Sequence, residues 1–295
     1  MAIKLFHGSA QHFFRPIAVL ARMVKIEHSV FALPFAYIGA FVAAGGWPGW
    51  RVFIFLTVAM VAIRSFAMSM NRILDLPIDR LNPRTADRPL VTGEITLPQA
   101  WVFSATTAGV FILACAGMNL TALALSPAAL LWSGFYSLTK HWTWLCHFVL
   151  GSVLGLAPVA GWIGYQPELS LVYLLYFFGV LFWVAGFDIL YSCQDVEFDR
   201  DQGLHSVPVR FGVPTALTLS AFSHVNSAVF FLLAGMAAGL GWLYFLCWSV
   251  VAAVLAWEHT LVKPDDLSRV NLAFFTLNGF IAIFLFLGVL LDLLW

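Results

Sequence analysis

The sequence predicts an all-α membrane protein with nine transmembrane helices, and three observations lead to this fold class. Of its 295 residues, 61% are hydrophobic and only 10% are charged, whereas a soluble domain carries about 25% charged residues. Apolar runs of the roughly 20 residues that a helix needs to cross a bilayer follow one another from near residue 28 to the C-terminus. No polar stretch large enough for another domain separates them, so residues 1–295 are expected to form a single membrane domain.

The nine predicted spans are too long and too continuously apolar for the strands of a membrane β-barrel. They are residues 28–46, 51–70, 99–117, 119–137, 145–165, 170–192, 215–236, 239–258 and 270–294. Before them, residues 11–27 place apolar side chains at helical spacing opposite Arg15, Arg22 and Lys25. This pattern predicts an N-terminal helix that lies in the membrane interface. A positively charged tail without such a helix is the alternative.

The distribution of basic residues predicts the orientation of the chain. Lys and Arg concentrate at the N-terminus and in every second loop, while the alternate loops hold only Arg51. The positive-inside rule therefore places the N-terminus and the long loops 71–98 and 193–214 in the cytoplasm, with the C-terminus outside. The formal net charge is zero, which argues against a nucleic-acid partner.

The first long loop begins with three polar residues at a helical spacing. Asn71, Asp75 and Asp79 recur every four residues, so they share one face if the second span continues as a helix. Pro77 is expected to limit or kink that helix. Carboxylates this close repel each other unless a cation lies between them, and a few hard oxygen ligands suit Mg²⁺, which fills its remaining positions with water and substrate phosphates. The alternative is a solvated loop whose acids pair with its own arginines.

The second long loop repeats the acidic spacing at Asp195 and Asp199, and it predicts a second Mg²⁺ site. Tyr191 and Asp188 precede this pair by one and two turns, respectively, on nearly the same face. Asp188 falls at the membrane edge, where an acidic side chain is costly and generally functional. Two acidic faces at the cytoplasmic ends of two membrane helices can face each other across one cavity.

Basic side chains accompany the acids. Arg64 lies two helical turns deeper than Asn71 and on the same face, and an arginine inside a membrane must be paired. Arg72, Arg84 and Lys140 are the other candidate donors to a diphosphate, because guanidinium and ammonium groups bind phosphate oxygens directly. For Arg72, Arg80 and Arg88, a topological signal or an internal ion pair is an equal alternative.

The histidines show no spacing typical of metal ligands. His28, His147 and His224 are interpreted as helix-edge or packing residues rather than haem ligands.

At these residues the chain resembles the UbiA superfamily of intramembrane prenyltransferases. The matching positions are Arg64, Asn71, Asp75, Asp79, Asn82–Thr85, Arg88–Leu90, Tyr136, Lys140, Asp188, Tyr191, Asp195, Asp199 and Gly203–Gly212. The resemblance covers nearly the whole chain. It implies nine transmembrane helices around a central cavity and the Mg²⁺-dependent transfer of a prenyl group from a polyprenyl diphosphate, usually onto an aromatic ring.

The resemblance also implies a role for each candidate residue. The metal ligands are then Asn71, Asp75, Asp79, Asp195 and Asp199. The diphosphate donors are Arg64, Arg72, Arg84 and Lys140. The catalytic residues are Asp75, Asp195, Lys140, Asp188 and Tyr191, of which the last two are candidates for accepting the ring proton.

The expected acceptor is a hydroxylated aromatic acid, as in quinone biosynthesis. His141 stands where ubiquinone-pathway members often have an arginine that is a candidate for binding the carboxylate of 4-hydroxybenzoate. This difference, and a stretch around Lys25–Phe35 that resembles the menaquinone branch, favour a bicyclic dihydroxynaphthoate as acceptor. The expected location is a bacterial inner membrane, with the lipid bilayer as a partner. The alternative acceptors are haem, chlorophyllide or a glycerol phosphate lipid. A transporter is a more distant alternative, since it would place ionisable residues near the membrane midplane, whereas the acids of this chain cluster at one membrane face.

Overall fold

The computed structural model describes residues 18–25, 32–270 and 276–295. Over these residues the chain is all-α and contains no β-strand. Nine long helices run through the described part of the chain: α1 (Leu33–Ala44), α2 (Trp50–Asp79), α3 (Leu97–Met118), α4 (Leu120–Phe135), α5 (Cys146–Tyr165), α6 (Leu171–Ser192), α7 (Val213–Ala237), α8 (Trp242–Leu261) and α9 (Asn278–Leu294).

Among the described residues, seven helices, α2 to α8, are long and apolar enough to cross a membrane. The predicted all-helical membrane fold is therefore confirmed, and the chain is an integral membrane protein. The helices α1 and α9 are apolar but shorter than a full span. The first and last predicted spans, 28–46 and 270–294, lie partly outside the described residues, so the count of nine spans stays a prediction.

Most of the predicted interfacial segment, residues 11–27, also lies outside the described residues. Its described part is helical over residues 18–24. Met23 and Val24 are buried there, in a cluster with Met68 and Ile73 of α2. This part of the segment therefore packs against the protein itself, and its placement in the membrane interface stays a prediction.

Small residues let the helices around α6 approach closely. A Cβ added at Gly151 of α5 would lie 2.3 Å from the carbonyl oxygen of Leu181 in α6, and one at Gly39 of α1 would lie 2.0 Å from the carbonyl oxygen of Pro158 in α5. Without a hydrophobic driving force between helices in lipid, such close backbone approach is a main source of packing energy. It fixes α1, α5 and α6 relative to one another.

The acidic motifs lie where α2 and α6 end. Helix α2 continues without interruption to Asp79 and contains Pro77 in its last turn, so the proline does not end the helix ahead of the motif. Beyond α6, a 3₁₀ turn (Cys193–Asp195) leads into a short helix (Val196–Asp201), so the second motif is less regular than the first. A third segment reaches the same end of the molecule, because α4 continues into the 3₁₀ helix Tyr136–His141.

Candidate active site

A cavity of about 310 Å³ opens between these three segments. It brings together residues from α2, α5 and α6, from the 3₁₀ helix Tyr136–His141 and from the two long loops. Its lining includes Arg64, Asn71, Arg72, Asp75, Asp79, Arg84, Lys140, Asp188, Tyr191, Asp195 and Asp199. Side chains from two loops that are far apart in sequence therefore share one space.

On the α2 side, Asp75 is the most heavily bonded carboxylate. Its Oδ2 accepts a hydrogen bond from Asn71 Nδ2 at 2.8 Å and lies 2.7 Å from Lys140 Nζ. Asn71 is held in turn, because Arg72 Nη1 donates to its Oδ1 at 3.0 Å. The second oxygen of Asp75, Oδ1, is buried and has no hydrogen-bond partner among the described residues. A buried anionic oxygen without a partner is costly, so this atom is a place where a cation would be favourable.

One turn further along α2, Asp79 forms an ion pair with Arg88, with 2.5 Å between Oδ2 and Nη1. The loop is fastened at the same point, since the Thr85 hydroxyl donates to the carbonyl of Asp79 at 2.8 Å. The internal ion pair that was one alternative for the loop arginines is thus the arrangement found for Arg88.

On the opposite side, Arg84 reaches across to the second motif. Its Nε and Nη2 bind the two carboxylate oxygens of Asp195 at 2.9 and 2.5 Å, and its Nη1 donates to the Tyr191 hydroxyl at 3.0 Å. Burial opposes the charged guanidinium, but the bond to Asp195 raises the pKa of Arg84 above its ordinary value. Arg84 therefore stays charged and joins the first loop to the second.

Asp199 lies in the short helix beyond the end of α6. Burial and the neighbouring carboxylate of Asp195 raise its pKa to about 6. An ionised Asp199 is therefore unfavourable in this environment, and a cation between Asp195 and Asp199 would relieve the cost.

These carboxylates suit a Mg²⁺ ion that is held partly by the protein and partly by the phosphate groups of a substrate. Within residues 18–25, 32–270 and 276–295, no three Asp, Glu, His or Cys side chains converge into a ready metal cage. Mg²⁺ is usually held by only one or two carboxylates and completes its shell with water and phosphate oxygens. The unpartnered Oδ1 of Asp75 and the close pair of Asp195 and Asp199 match that requirement.

His147, which the sequence left as a packing residue, also lines the cavity. Its Nδ1 lies 2.7 Å from Oδ2 of Asp188, and the backbone N–H of Val207 donates to its Nε2 at 3.2 Å. His147 and Asp188 are 41 positions apart and in different helices, so no spacing in the sequence could have indicated this contact.

The deep end of the cavity is apolar. Arg64, Tyr136, Leu150 and Leu154 are shared with an adjoining space of about 80 Å³, whose other walls are almost entirely apolar side chains. Arg64 thus lies at the boundary between the charged part of the cavity and this apolar extension.

His141 is the one predicted site residue that the cavity does not include. It ends the 3₁₀ helix Tyr136–His141 and is exposed, and it is absent from the lining of the cavity. Its role in binding the acceptor stays a prediction that its position does not support. Lys25, a basic residue of the N-terminal segment, does line the cavity, in contrast to His141.

The fold and this cavity define an integral membrane protein with a site of facing acidic and basic side chains at one end of its helices, suited to an anionic substrate that brings a cation. The chain belongs to the UbiA prenyltransferase family, whose sequence model matches residues 32–286, and it is a prenyltransferase. The resemblance inferred from the motifs is confirmed.

Curated relatives carry aromatic prenyltransferase names. A mitochondrial 4-hydroxybenzoate polyprenyltransferase of Aedes aegypti is 32% identical over 256 residues, which cover 85% of this chain and 57% of the relative. A 4-hydroxybenzoate octaprenyltransferase of Pseudomonas fluorescens is 28% identical and covers 92% of both chains.

Solved structures share the fold. The apo structure of a UbiA homologue from Aeropyrum pernix K1 is 36% identical, with a TM-score of 0.82, over 90% of this chain and 98% of that chain. A UbiA homologue from Archaeoglobus fulgidus, solved with DMAPP and Mg²⁺, is 20% identical with a TM-score of 0.61 over 90% of this chain and 98% of that chain.

Proposed function

We propose that this protein transfers a polyprenyl group from a polyprenyl diphosphate to a hydroxylated aromatic acid, in a Mg²⁺-dependent step of quinone biosynthesis. The observation that carries the proposal is the pairing of acids with bases inside one cavity: Asp75 with Lys140, Asp79 with Arg88, and Asp195 with Arg84. Such a site holds both halves of what a metal–diphosphate complex needs, carboxylates for the metal and cations for the phosphate. The names of the curated relatives support the aromatic acid.

The metal ligands in this proposal follow from the unpartnered and crowded carboxylate oxygens. Asn71, Asp75 and Asp79 would hold one Mg²⁺, and Asp195 and Asp199 the other. The chemistry that Mg²⁺ supplies in such a site is neutralisation of the charge that builds up on the diphosphate as it leaves.

The same basic side chains that neutralise the carboxylates are available to the phosphate oxygens. With cations bound at the carboxylates, Lys140 and Arg84 no longer have to balance Asp75 and Asp195 and can donate to the diphosphate instead. Arg72 lies beside Asn71, and Arg64 lies deeper in the same cavity. Both add positive charge where the leaving group would lie.

The reaction breaks the allylic C–O bond, whose electron pair leaves with the diphosphate. A ring carbon of the acceptor forms a new C–C bond to the prenyl carbon, and the ring loses a proton. Tyr136 and Phe187 line the cavity, and aromatic faces favour a neighbouring carbocation. Inside the membrane, the surrounding helices would shield this carbocation from water.

Of the two candidates for accepting a proton, Asp188 is better placed than Tyr191. The hydroxyl of Tyr191 already accepts a hydrogen bond from Arg84 and so belongs to the diphosphate end. Asp188 has no such bond to Arg84, and its side chain keeps 26% of its surface exposed in the cavity.

The apolar extension beyond Arg64 could receive part of a substrate that is not charged, while the remaining polyprenyl tail would lie in a groove open to lipid. The proposed orientation, with the catalytic loops in the cytoplasm of a bacterial inner membrane, rests on the distribution of Lys and Arg. It would give the site access to water-soluble aromatic acids from the cytoplasm.

The test is product analysis with the purified full-length protein. Labelled prenyl diphosphate and Mg²⁺ are offered with equal 4-hydroxybenzoate and 1,4-dihydroxy-6-naphthoate, and mass spectrometry identifies the products. We expect a C-prenylated acid, none in EDTA, and recovery on adding Mg²⁺. The ratio of the two products decides between the monocyclic and bicyclic acids. Parallel reactions offer a haem, chlorophyllide or glycerol phosphate acceptor, and prenylation of one of these with neither acid modified would overturn the proposal.

A further inference from the structure

His147 joins three segments around the cavity. It is the second residue of α5 and is almost completely buried. Its two ring nitrogens contact different partners, Asp188 on α6 and the backbone of Val207 in the second long loop. Both ring nitrogens therefore have polar partners, as a buried imidazole requires, and one of the two partners is a carboxylate that lines the cavity.

The partner of Nε2 determines which nitrogen carries the proton. Val207 is the first residue of the short helix Val207–Phe211, and the side chain of Ser206 caps that helix by accepting from Val209 N–H. The N–H of Val207 has no acceptor within its own helix, and it donates to Nε2 of His147 at 3.2 Å. Nε2 must therefore present its lone pair, so that in the neutral ring the proton resides on Nδ1.

It follows that Nδ1–H donates to Oδ2 of Asp188 at 2.7 Å. A donor fixed on one oxygen restricts the rotation of the carboxylate and leaves the other oxygen to the cavity. In metal sites, a hydrogen bond between a histidine N–H and a carboxylate fixes the tautomer and orientation of the histidine ring; here the ring is fixed by its burial and by Val207, so the same bond orients the carboxylate.

We propose that His147 is a positioning residue that holds the carboxylate of Asp188 in the orientation in which it accepts the hydroxyl proton of the aromatic acceptor. This inference rests on the proposed function of the site. The ring carbon beside the hydroxyl bonds to the prenyl carbon while the allylic C–O bond of the prenyl diphosphate breaks, and the electron pair of that bond leaves with the diphosphate. The hydroxyl proton of the acceptor passes to Asp188, and the acceptor ring becomes a cyclohexadienone. Loss of the proton on the alkylated carbon and return of a proton to the oxygen restore the ring, so one proton and one diphosphate are released.

Two substitutions separate the bond to Asp188 from the bond to Val207. His147→Leu keeps a similar volume and removes both bonds. In His147→Asn the amide nitrogen takes the place of Nδ1 and can still donate to Asp188, while the shorter side chain no longer reaches Val207. If His147 only anchored the loop through Val207, both variants would lose the same amount of activity.

The readout is steady-state turnover of the full-length protein with prenyl diphosphate, Mg²⁺ and the aromatic acid. For His147→Leu we expect kcat to fall between about tenfold and 100-fold, with the KM for prenyl diphosphate unchanged. His147→Asn should recover most of the lost kcat. In an Asp188→Asn background, His147→Leu should cause no further loss of kcat. If His147 acts through Asp188, the effects of the two substitutions are not additive.

A ring-fluorinated acceptor supplies a second readout, because its hydroxyl ionises more readily and depends less on a base. Relative to the wild-type protein, His147→Leu should slow the fluorinated acid less than the parent acid. Equal losses for both acids, or a His147→Asn protein as slow as His147→Leu, would overturn the proposal. Should His147→Leu not fold, His147→Asn alone decides, since the proposal requires nearly normal kcat there. If the wild-type protein prenylates no aromatic acid, the proposed function itself fails.

Discussion

Replacement of Asp75 by Asn tests the assignment of the first metal site and separates its contribution to catalysis from its contribution to stability. The change removes the charge that Lys140 Nζ contacts at 2.7 Å, and it removes an anionic ligand. A hydrogen bond to a charged group contributes about 1.5–3 kcal/mol. Since the Lys140 side chain keeps 27% of its surface exposed, water compensates in part, and the lower end, about 1.5–2 kcal/mol, is expected. The melting temperature should then fall by a few degrees.

Catalysis should suffer far more than stability. A group that stabilises developing charge contributes about 10²–10³-fold to kcat, so Asp75→Asn should lose at least that much turnover while it still inserts and purifies. The double variant Asp75→Asn with Lys140→Met removes the unpaired ammonium and should regain most of the lost stability, because an ion pair replaced on both sides by neutral groups costs little. It should regain no activity.

The assay measures thermal unfolding in detergent and prenyl transfer in parallel, and Asp87→Asn serves as the control, because Asp87 is an exposed acid of the same loop. Near-normal turnover of Asp75→Asn would refute the assignment of Asp75 as a metal ligand. Equal melting temperatures for the single and double variants would refute the coupling between Asp75 and Lys140.

The orientation of the chain, the role of His141 and the charge of Asp199 can each be tested separately. A single cysteine at Thr92, in the first long loop, should be protected from an impermeant reagent added outside intact cells, and labelling from outside would reverse the orientation. His141→Arg should leave the preference between monocyclic and bicyclic acids unchanged, because His141 is exposed and outside the cavity lining; a clear switch in kcat/KM would show that the acceptor reaches it. Asp199→Asn should raise the melting temperature of the metal-free protein at pH 7.5. Burial and Asp195 raise the pKa of Asp199 to about 6, so its ionised form destabilises the fold above that pH, and the gain should shrink at pH 5; an unchanged or lower melting temperature at pH 7.5 would contradict this.

The sequence predicted the parts of this molecule that depend on local patterns. Apolar runs located the helices, and spacings of four residues placed Asn71, Asp75 and Asp79 on one face of α2, as the structure has them. The helical spacing was a poorer guide to the second motif, because the chain leaves the regular helix at Ser192. A 3₁₀ turn follows there and precedes the short helix that carries Asp199.

Contacts between segments that are far apart along the chain could not be predicted from spacing in the sequence. The partner of His147 is on another helix, and the choice of Arg84 for Asp195 spans 111 positions. His141 follows Lys140 directly, yet the end of the 3₁₀ helix turns it outward, and no period in the sequence distinguishes the two directions.

The two interpretations of the loop arginines, as partners of their own acids or as donors to phosphate, are compatible. Arg84 is paired with Asp195, and Lys140 is paired with Asp75 in the same way. A cavity that collected only acids for a metal, or only bases for a diphosphate, would be strained by repulsion between like charges. Pairing each acid with a base removes that strain and keeps the bases within reach of the position that the phosphates would take. The ion pairs within the cavity and the contacts proposed for the substrate are therefore two uses of the same side chains, which is why charge spacing alone could not decide between them.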